Sequence, residues 1–392
     1  MDNITLIATA KFGLEKLVKN EVIDMGFEHP RVSEGRIEFD ATVADIPRTN
    51  IGLRYSGRVL LKIAEFPATT FDDLFEQTKA LPWEDWITPD GKFTVNAKTI
   101  KSTLQSDRSC QSIVKKAVVE RLKTAFDMEW FEETGADFTI QITIRKDVAL
   151  LTLDTSGAGL HKRSYRLQAG EAPLTETLAA ALVKLSFWEK DRLLIDPMCG
   201  AGTILIEAAM LMRNIAPGLH REFASESWPV IPREAWIAAH QAAEAAIDRT
   251  GKLQIQGYDI DEHAIAAAKA NAERAGVADD IIFQQKDIKD LWIDRQYGIL
   301  ISNPPYGMRM YDFTDINKIY VSLNKTFKKK KGWSIYILTA DKKFPNYFKR
   351  AWPDRKRKLY NGNIEVMYYQ YYGERPPREA TDSTSYLADK PK

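Results

Sequence analysis

The chain has 392 residues, 44% of them apolar and 28% charged, with 55 Lys and Arg against 54 Asp and Glu. This balance excludes a disordered polymer, and the absence of any run of about eighteen apolar residues excludes an ordinary membrane-spanning helix. Two cysteines, Cys110 and Cys199, are too few for a disulfide framework, and no Cys/His spacing suggests a zinc site. The length exceeds one ordinary domain, so two or three are expected. The start "MDNITLIATAKFG" lacks the basic opening and long apolar core of a secretion signal, so a cytoplasmic protein is expected.

In chain order, "ITLIATA" reads as a strand, followed by a helix from about Gly13 to Asp24 and the paired strands "RVSEG" and "RIEFDA". Strands are expected again at "RVLLKIAEF" and "KFTVNA", with the amphipathic segment Thr70 to Ala80 and "LPWEDW" between them. A helix is predicted from about Ser109 to Phe126, and "TIQITIRKDVALLTLDTSG" reads as a strand pair turning near Lys146 and Asp147. The result is a small α+β arrangement. The segment "GAGLHKRSYRLQAGEAPL", 157 to 174, is rich in glycine and basic residues and reads as the connection between domains. This places an N-terminal region at 1–160 and a second domain at 161–392.

From Thr175 the pattern alternates helices with apolar strands: "RLLID", "LQIQGYD", "DIIFQQ", "YGILIS" and "WSIYILTAD". Such alternation predicts a doubly wound, mostly parallel α/β sheet. The run "RKLYNGNIEVMYYQYYG" adds a terminal antiparallel hairpin with a turn at Asn361-Gly362, and the residues after it read as a loose tail.

Near-neutral net charge conceals two basic tracts. Residues 325 to 358 hold thirteen Lys or Arg against Asp341 and Asp354, including "KKKK" and "RKRK"; residues 92 to 123 hold eight against two acids. One such run suits a solvated face, whereas two in a neutral protein favour a polyanionic partner.

Ligands of open α/β sheets bind past the carboxyl ends of the strands. After the first strand, "DPMCGAGT" offers Gly200 and Gly202 for a tight turn and close ligand approach. "GYDID" offers Asp259 for a ribose diol, and "QQKDI" offers Asp287 for an adenine amino group, with Ile260 and Ile288 as apolar neighbours of the ring; either aspartate alone suits a helix cap or turn, and together with the glycine turn they describe a nucleoside pocket. No G-x-G-x-x-G set or P-loop lysine accompanies them, which weakens dinucleotide and triphosphate readings.

After the fourth strand comes Asn303-Pro304-Pro305-Tyr306. The amino group of an aromatic base is a poor nucleophile because its lone pair is delocalised. Acceptors aimed at its hydrogens, the Asn303 side-chain carbonyl and the Pro304 backbone carbonyl, favour the localised lone pair, most of all as positive charge grows on nitrogen. Pro305 stiffens the turn and removes a competing N–H, and Tyr306 offers a face for an extruded base.

"DPMCGAGTILIEAA", "GYDID", "QQKDI" and "NPPYG", in this order, resemble the class I S-adenosylmethionine-dependent methyltransferases of exocyclic amino groups. "HKRSYRLQAGEAPLTETLAAALV", "APGLHREFASESW" and "NPPYGMR" look like the large-ribosomal-RNA guanine 2-amino methyltransferases and their tRNA relatives. The resemblance implies an N-terminal ferredoxin-like plus THUMP region that binds RNA, and S-adenosylmethionine as cofactor. It assigns Asp196, Gly200 and Gly202 to the methionine end, Asp259 to the ribose, Asp287 to the adenine, and Asn303, Pro304 and Tyr306 to the target guanine. Thr175 and Glu176 would border the cofactor, while Arg163, Tyr165 and Arg309 would meet RNA. Bifunctional members carry a second methyltransferase domain; none is read in this sequence, so a single reaction on the guanine 2-amino group is expected, with no metal. The competing readings are adenine in DNA, glutamine in a protein, and an assembly factor that binds RNA without catalysis.

Overall fold

The computed structural model describes residues 3–166, 174–305, 313–350 and 352–375, without the side chains of 313–315. The expected tail lies outside the described residues.

The N-terminal part carries strands β1 (Ile4–Thr9), β2 (Arg31–Ser33), β3 (Arg36–Ala41), β4 (Val59–Pro67), β5 (Lys92–Ile100), β6 (Asp137–Arg145) and β7 (Val148–Asp154). They form one sheet in the order β2-β3-β1-β4-β7-β6-β5, antiparallel except for the β5–β6 pair. Helices α1 (Glu15–Asp24), α2 (Asp45–Gly52), α3 (Phe71–Lys79) and α4 (Asp107–Phe126) accompany it. β4 is a shared strand. It pairs with β1 on one side, Leu6 opposite Leu61, and with β7 on the other, Leu60 opposite Asp154. The β6–β7 turn falls on Lys146 and Asp147, both in the left-handed region at φ 50° and 63°, as the primed hairpin turns require.

Helix α2 is absent from the sequence reading for a physical reason. "DIPRTNIG" contains proline, glycine and three β-branched residues, all weak helix formers. Packing overrides that bias: Ile46 and Ile51 are buried, and the buried Asn50 donates to Thr155 Oγ1 at 2.8 Å and accepts from Ser156 Oγ at 2.7 Å.

The second half carries α5 (Glu176–Lys184), β8 (Leu194–Asp196), α6 (Thr203–Met212), α7 (Arg233–Ala245), β9 (Ile255–Asp259), α8 (Glu262–Arg274), β10 (Ile281–Gln285), β11 (Tyr297–Ser302), α9 (Phe313–Phe327), β12 (Gly332–Thr339), α10 (Phe344–Phe348), β13 (Arg355–Asn361) and β14 (Ile364–Tyr371). Its sheet runs β10-β9-β8-β11-β12-β14-β13, with β14 antiparallel to β12 and β13 antiparallel to β14. Winding reverses between β8 and β11, where doubly wound sheets open a crevice for ligands. The hairpin turn sits one residue later than expected. Asn361 pairs with Ile364, leaving Gly362 (φ 60°) and Asn363 as the two loop residues.

The two sheets pack as one body. A single core cluster runs from Leu6 and Val18 through Leu160 and Tyr165 to Leu205 and Tyr368. The segment 216–228 reaches back to the first sheet: Gly218 N donates to Ile51 O, Ser225 Oγ to Thr155 O, and the Trp228 ring stacks on Phe138 at 4.9 Å.

Candidate functional site

Three strand ends are joined by hydrogen bonds around the glycine turn. Gly200 takes φ +51° and Gly202 φ +81°, conformations that favour residues without a Cβ. A Cβ on Gly202 would lie 2.9 Å from Phe283 Cζ and 3.1 Å from Ala268 Cβ, so the close packing of α6 on the sheet also demands glycine. Gly200 N donates to Asp259 Oδ2 at 2.9 Å, Cys199 N to Tyr258 O at 2.8 Å, and Asn271 Nδ2 to Ala201 O at 3.0 Å. At the next strand end, Lys286 N donates to Asp259 O at 2.8 Å.

Asp196 closes β8 and is almost fully buried; its Oδ1 accepts from Ser302 Oγ at 2.6 Å and from Met198 N at 3.1 Å. Burial pushes its carboxyl up to about 7, and the Asp259 carboxylate adds to the rise, against the lowering effect of the two hydrogen bonds. Ser302 is thus a site residue that the sequence reading passed over. The available signal was a small hydroxyl ending the otherwise apolar run "YGILIS".

Asp287 caps the single 3-10 turn Ile288–Asp290, accepting from Lys289 N at 3.0 Å and pairing with Lys289 Nζ at 2.9 Å. Partial burial raises its carboxyl, but the bonds from Lys289 outweigh that and leave it below the ordinary range. Ile260 is exposed and Ile288 buried, so one stands at the surface of the rim and the other beneath it.

Asn303 follows Ser302 directly. Its Oδ1 is buried and has no hydrogen-bond partner among the described residues. An orphaned buried acceptor of this kind costs about 1–3 kcal/mol, which a bound donor would recover. Pro304 is buried and Pro305 half-buried behind it. Tyr306 and Arg309 lie outside the described residues.

Thr175 accepts from Lys11 Nζ at 3.0 Å, and Glu176 pairs with Arg166 at 2.8 Å. Arg166 also reaches Thr203 Oγ1 at the first turn of α6, 3.2 Å away. Burial raises the Glu176 carboxyl despite Arg166, and its Oε2 is a second buried acceptor without a partner. Neither Lys11 nor Arg166 was singled out from the sequence, because each lies outside the strand-end motifs.

Arg163 and Tyr165 are not placed to meet RNA. Both are buried, at 4% and 3% exposure, where Arg163 Nε (3.3 Å) and Tyr165 Oη (3.1 Å) donate to Glu207 Oε1. Arg54 approaches the other Glu207 oxygen at 3.8 Å. The segment that read as a linker is therefore packed into the core as far as Arg166. Cys199 has its thiol pushed up by burial, as suits a packing residue and not a nucleophile. Among the described residues no cluster of metal-ligating side chains occurs, and no helix is long and apolar enough to cross a membrane.

Comparison with known proteins matches residues 163–370 to an RMKL-like methyltransferase domain, 68–154 to a THUMP domain and 5–60 to an RlmL ferredoxin-like domain. The Bacillus subtilis protein named "Putative RNA methyltransferase YpsC" is 44% identical over 98% of this chain and 100% of its own length. The "Ribosomal RNA large subunit methyltransferase K/L" of Psychromonas ingrahamii is 35% identical over 93% of this chain. This chain spans 49% of that protein, about half its length. Among solved structures, a Listeria monocytogenes protein described as a "predicted N6-adenine-specific DNA methylase" superposes with TM-score 0.91 at 44% identity, covering 95% of this chain and 97% of its own. A second, "SMU.472, a putative methyltransferase complexed with SAH", gives TM-score 0.90 at 39% identity, covering 96% and 100%. With the glycine turn, the switch-point carboxylate and the three matched segments in one chain, the protein belongs to the RMKL-like methyltransferases that carry RlmL ferredoxin-like and THUMP domains.

Proposed function

We propose that this protein methylates the 2-amino group of a guanine in large-subunit ribosomal RNA, with S-adenosylmethionine as the donor. The observation that carries the reading is the orphaned Asn303 Oδ1 at the end of β11, one residue from the Ser302–Asp196 bond that joins β11 to β8. A buried acceptor at the switch point suits an exocyclic amino group, and the THUMP match together with the relatives' names favours RNA as its bearer.

The residues present fit the cofactor. The positive φ of Gly200, with open space where its Cβ would stand, leaves room for a ligand to approach the turn, and Glu176 Oε2 is a buried acceptor awaiting a donor. Asp196 and the glycine turn would hold the methionine end, Asp259 the ribose, Asp287 with Ile260 and Ile288 the adenine, and Thr175 and Glu176 the border. When bound, the cofactor supplies an electrophilic sulfonium methyl. Asn303 Oδ1 and the Pro304 carbonyl accept hydrogen bonds from the guanine amino group, so that its lone pair is free to attack. Their stabilisation grows as the nitrogen gains positive charge. No strong base is required, because the methylated nitrogen is acidic and sheds its proton to water.

We place the RNA-binding region at 1–160 and the methyltransferase domain at 161–392, in the cytoplasm. The decisive experiment transfers labelled methyl from S-adenosylmethionine to RNA of cells lacking the protein, followed by nucleoside analysis of fractionated rRNA and tRNA. Label in 2-methylguanosine of large-subunit rRNA supports the reading, and label in tRNA changes the substrate. Label confined to N6-methyladenine of DNA, or to protein, would overturn it.

A further inference from the structure

The "RKRK" run does not lie on a solvated helix; it opens β13, the edge strand of the methyltransferase sheet. Alternate residues share a face, so Arg357, Leu359 and Asn361 turn inward while Lys356, Lys358 and Tyr360 face outward together. Aromatic rings are interleaved with these cations. Lys356 Nζ stands 5.8 Å from the ring of Trp352, which is 82% exposed, and Lys358 Nζ stands 5.6 Å from the ring of Tyr360. The Tyr360 ring meets Phe12, itself 55% exposed, edge-on at 5.9 Å. The stripe therefore continues from β13 onto the β1–α1 loop of the RNA-binding half.

Beyond the hairpin tip lies a cleft of about 880 Å³ between Gly362–Asn363, the segment 158–166 and Arg221. Arg163 and Arg166 in its lining are paired with Glu207 and Glu176, but Arg221 and Lys162 have no carboxylate partner among the described residues. Arg221 is held by the carbonyls of Ala158 (2.6 Å), Gly159 (2.8 Å) and Lys162 (3.0 Å), and Lys162 is exposed with no ion pair among the described residues. Lys11, next to the lining residue Thr175, donates to it at 3.0 Å and has no ion pair among the described residues. Among the described residues Lys356 has no carboxylate partner, and the exposed Lys358–Glu365 pair at 2.7 Å is of the weak surface kind that a phosphate can displace.

The stripe is level with the reacting residues. Ser302 pairs with Ile337, Ile337 with Tyr369 and Tyr369 with Lys356, so Lys356 to Tyr360 flank the height of Asn303. Three strand spacings separate them, ~14 Å. Exposed rings alternating with cations are the requirement for holding single-stranded nucleic acid, with bases stacked on the rings and phosphates on the cations.

Building on the proposed RNA guanine reaction, we infer that the outer face of β13, with Trp352, Lys356, Lys358, Tyr360 and Phe12, and the cleft beside it form the track for the single-stranded RNA that delivers the target base. The test measures methyl transfer against RNA concentration, and RNA binding against salt, for the full chain and for two variants, Trp352→Ala and the double variant Lys356→Gln with Lys358→Gln. A control with the same loss of charge, Lys190→Gln with Lys252→Gln, lies near the opposite, amino edge of the sheet. Cofactor affinity reports that each variant is folded. Both track variants should raise KM for RNA about tenfold with kcat nearly unchanged, and the double lysine variant should flatten the salt dependence by about 1.4 in log–log slope. The control should change neither. RNA methylation by all proteins with unaltered KM and slope overturns the track and leaves the reaction standing. Failure of the unaltered protein to bind or methylate any RNA, or transfer to protein instead, overturns both.

Discussion

The backbone N–H of Gly200 donates to Asp259 Oδ2 at 2.9 Å, so the turn after β8 takes its shape from the carboxylate that ends β9. The same carboxylate accepts from Asp261 N at 3.0 Å through its other oxygen, yet each oxygen keeps a lone pair for a diol. Asp259→Ala removes both the turn's support and the proposed ribose contact. Charge-assisted hydrogen bonds contribute about 1.5–3 kcal/mol each, so cofactor affinity should fall by roughly two orders of magnitude in a calorimetric titration. An unchanged affinity would mean that Asp259 serves the turn alone.

Asn303→Ala separates binding from chemistry. Its Oδ1 accepts no hydrogen bond from any described residue, so the fold and cofactor affinity should stay nearly unchanged. Loss of one transition-state acceptor slows transfer by roughly two to three orders of magnitude. The measurement is kcat at saturating RNA beside the cofactor dissociation constant. Loss of cofactor binding instead would move Asn303 to a different role.

Asp196 should make the unliganded protein sensitive to pH. Folding raises its carboxyl from the ordinary range to about 7, so the folded state binds that proton more tightly than the unfolded chain. Its contribution to stability is whole below about pH 4 and is lost as pH climbs through about 7, a swing on the order of 4 kcal/mol. Asp196→Asn, which keeps an oxygen for Ser302 and Met198 N, should remove the part of that swing, about 3 kcal/mol, that falls within urea melts taken from pH 5 to 8. Cofactor affinity responds oppositely. In its proposed place at the methionine end Asp196 must be ionised to hold an ammonium, so affinity should weaken about tenfold per unit below about pH 7 in the native protein, and the asparagine variant should show no such slope.

Glu207 tests how the halves are held together. It is fully buried with Arg163 and Tyr165 on one oxygen and Arg54, from the N-terminal half, near the other. Removing it takes the carboxylate from two buried guanidinium groups that otherwise donate to the carbonyls of Leu160, Arg54 and Ile215, and breaking such a set costs about 3–5 kcal/mol. Glu207→Ala should lower the denaturation midpoint accordingly. A change below about 1 kcal/mol would show that water or neighbouring carbonyls satisfy the arginines.

Sequence pattern reached the fold where it rests on period and turn chemistry. The alternating strands, the primed turn at Lys146-Asp147 and the antiparallel hairpin at the sheet's edge are local signals, each with a local cause. The strand-end motifs gathered Asp196, Gly200, Asp259, Asp287 and Asn303 on one rim because a parallel sheet presents all its carboxyl ends together. What stayed hidden is decided by distant contacts. Helix α2 exists because Thr155 and Ser156 receive Asn50, about a hundred residues away. Arg163 and Tyr165 read as exposed because nothing nearby in sequence announces Glu207 as their partner. Ser302 was invisible because its value depends on lying beside Asp196 across the switch point.

The ferredoxin-like match ends at residue 60 and the THUMP match begins at 68, yet β4 occupies 59–67 and pairs with strands of both. The seam between two inherited segments is therefore the middle of a sheet. A recombinant cut there would bare two unpaired strand edges, each a template for aggregation. Grafting RNA recognition from one member of the family to another thus calls for exchanging strands β1 to β7 whole, as a single interchangeable part.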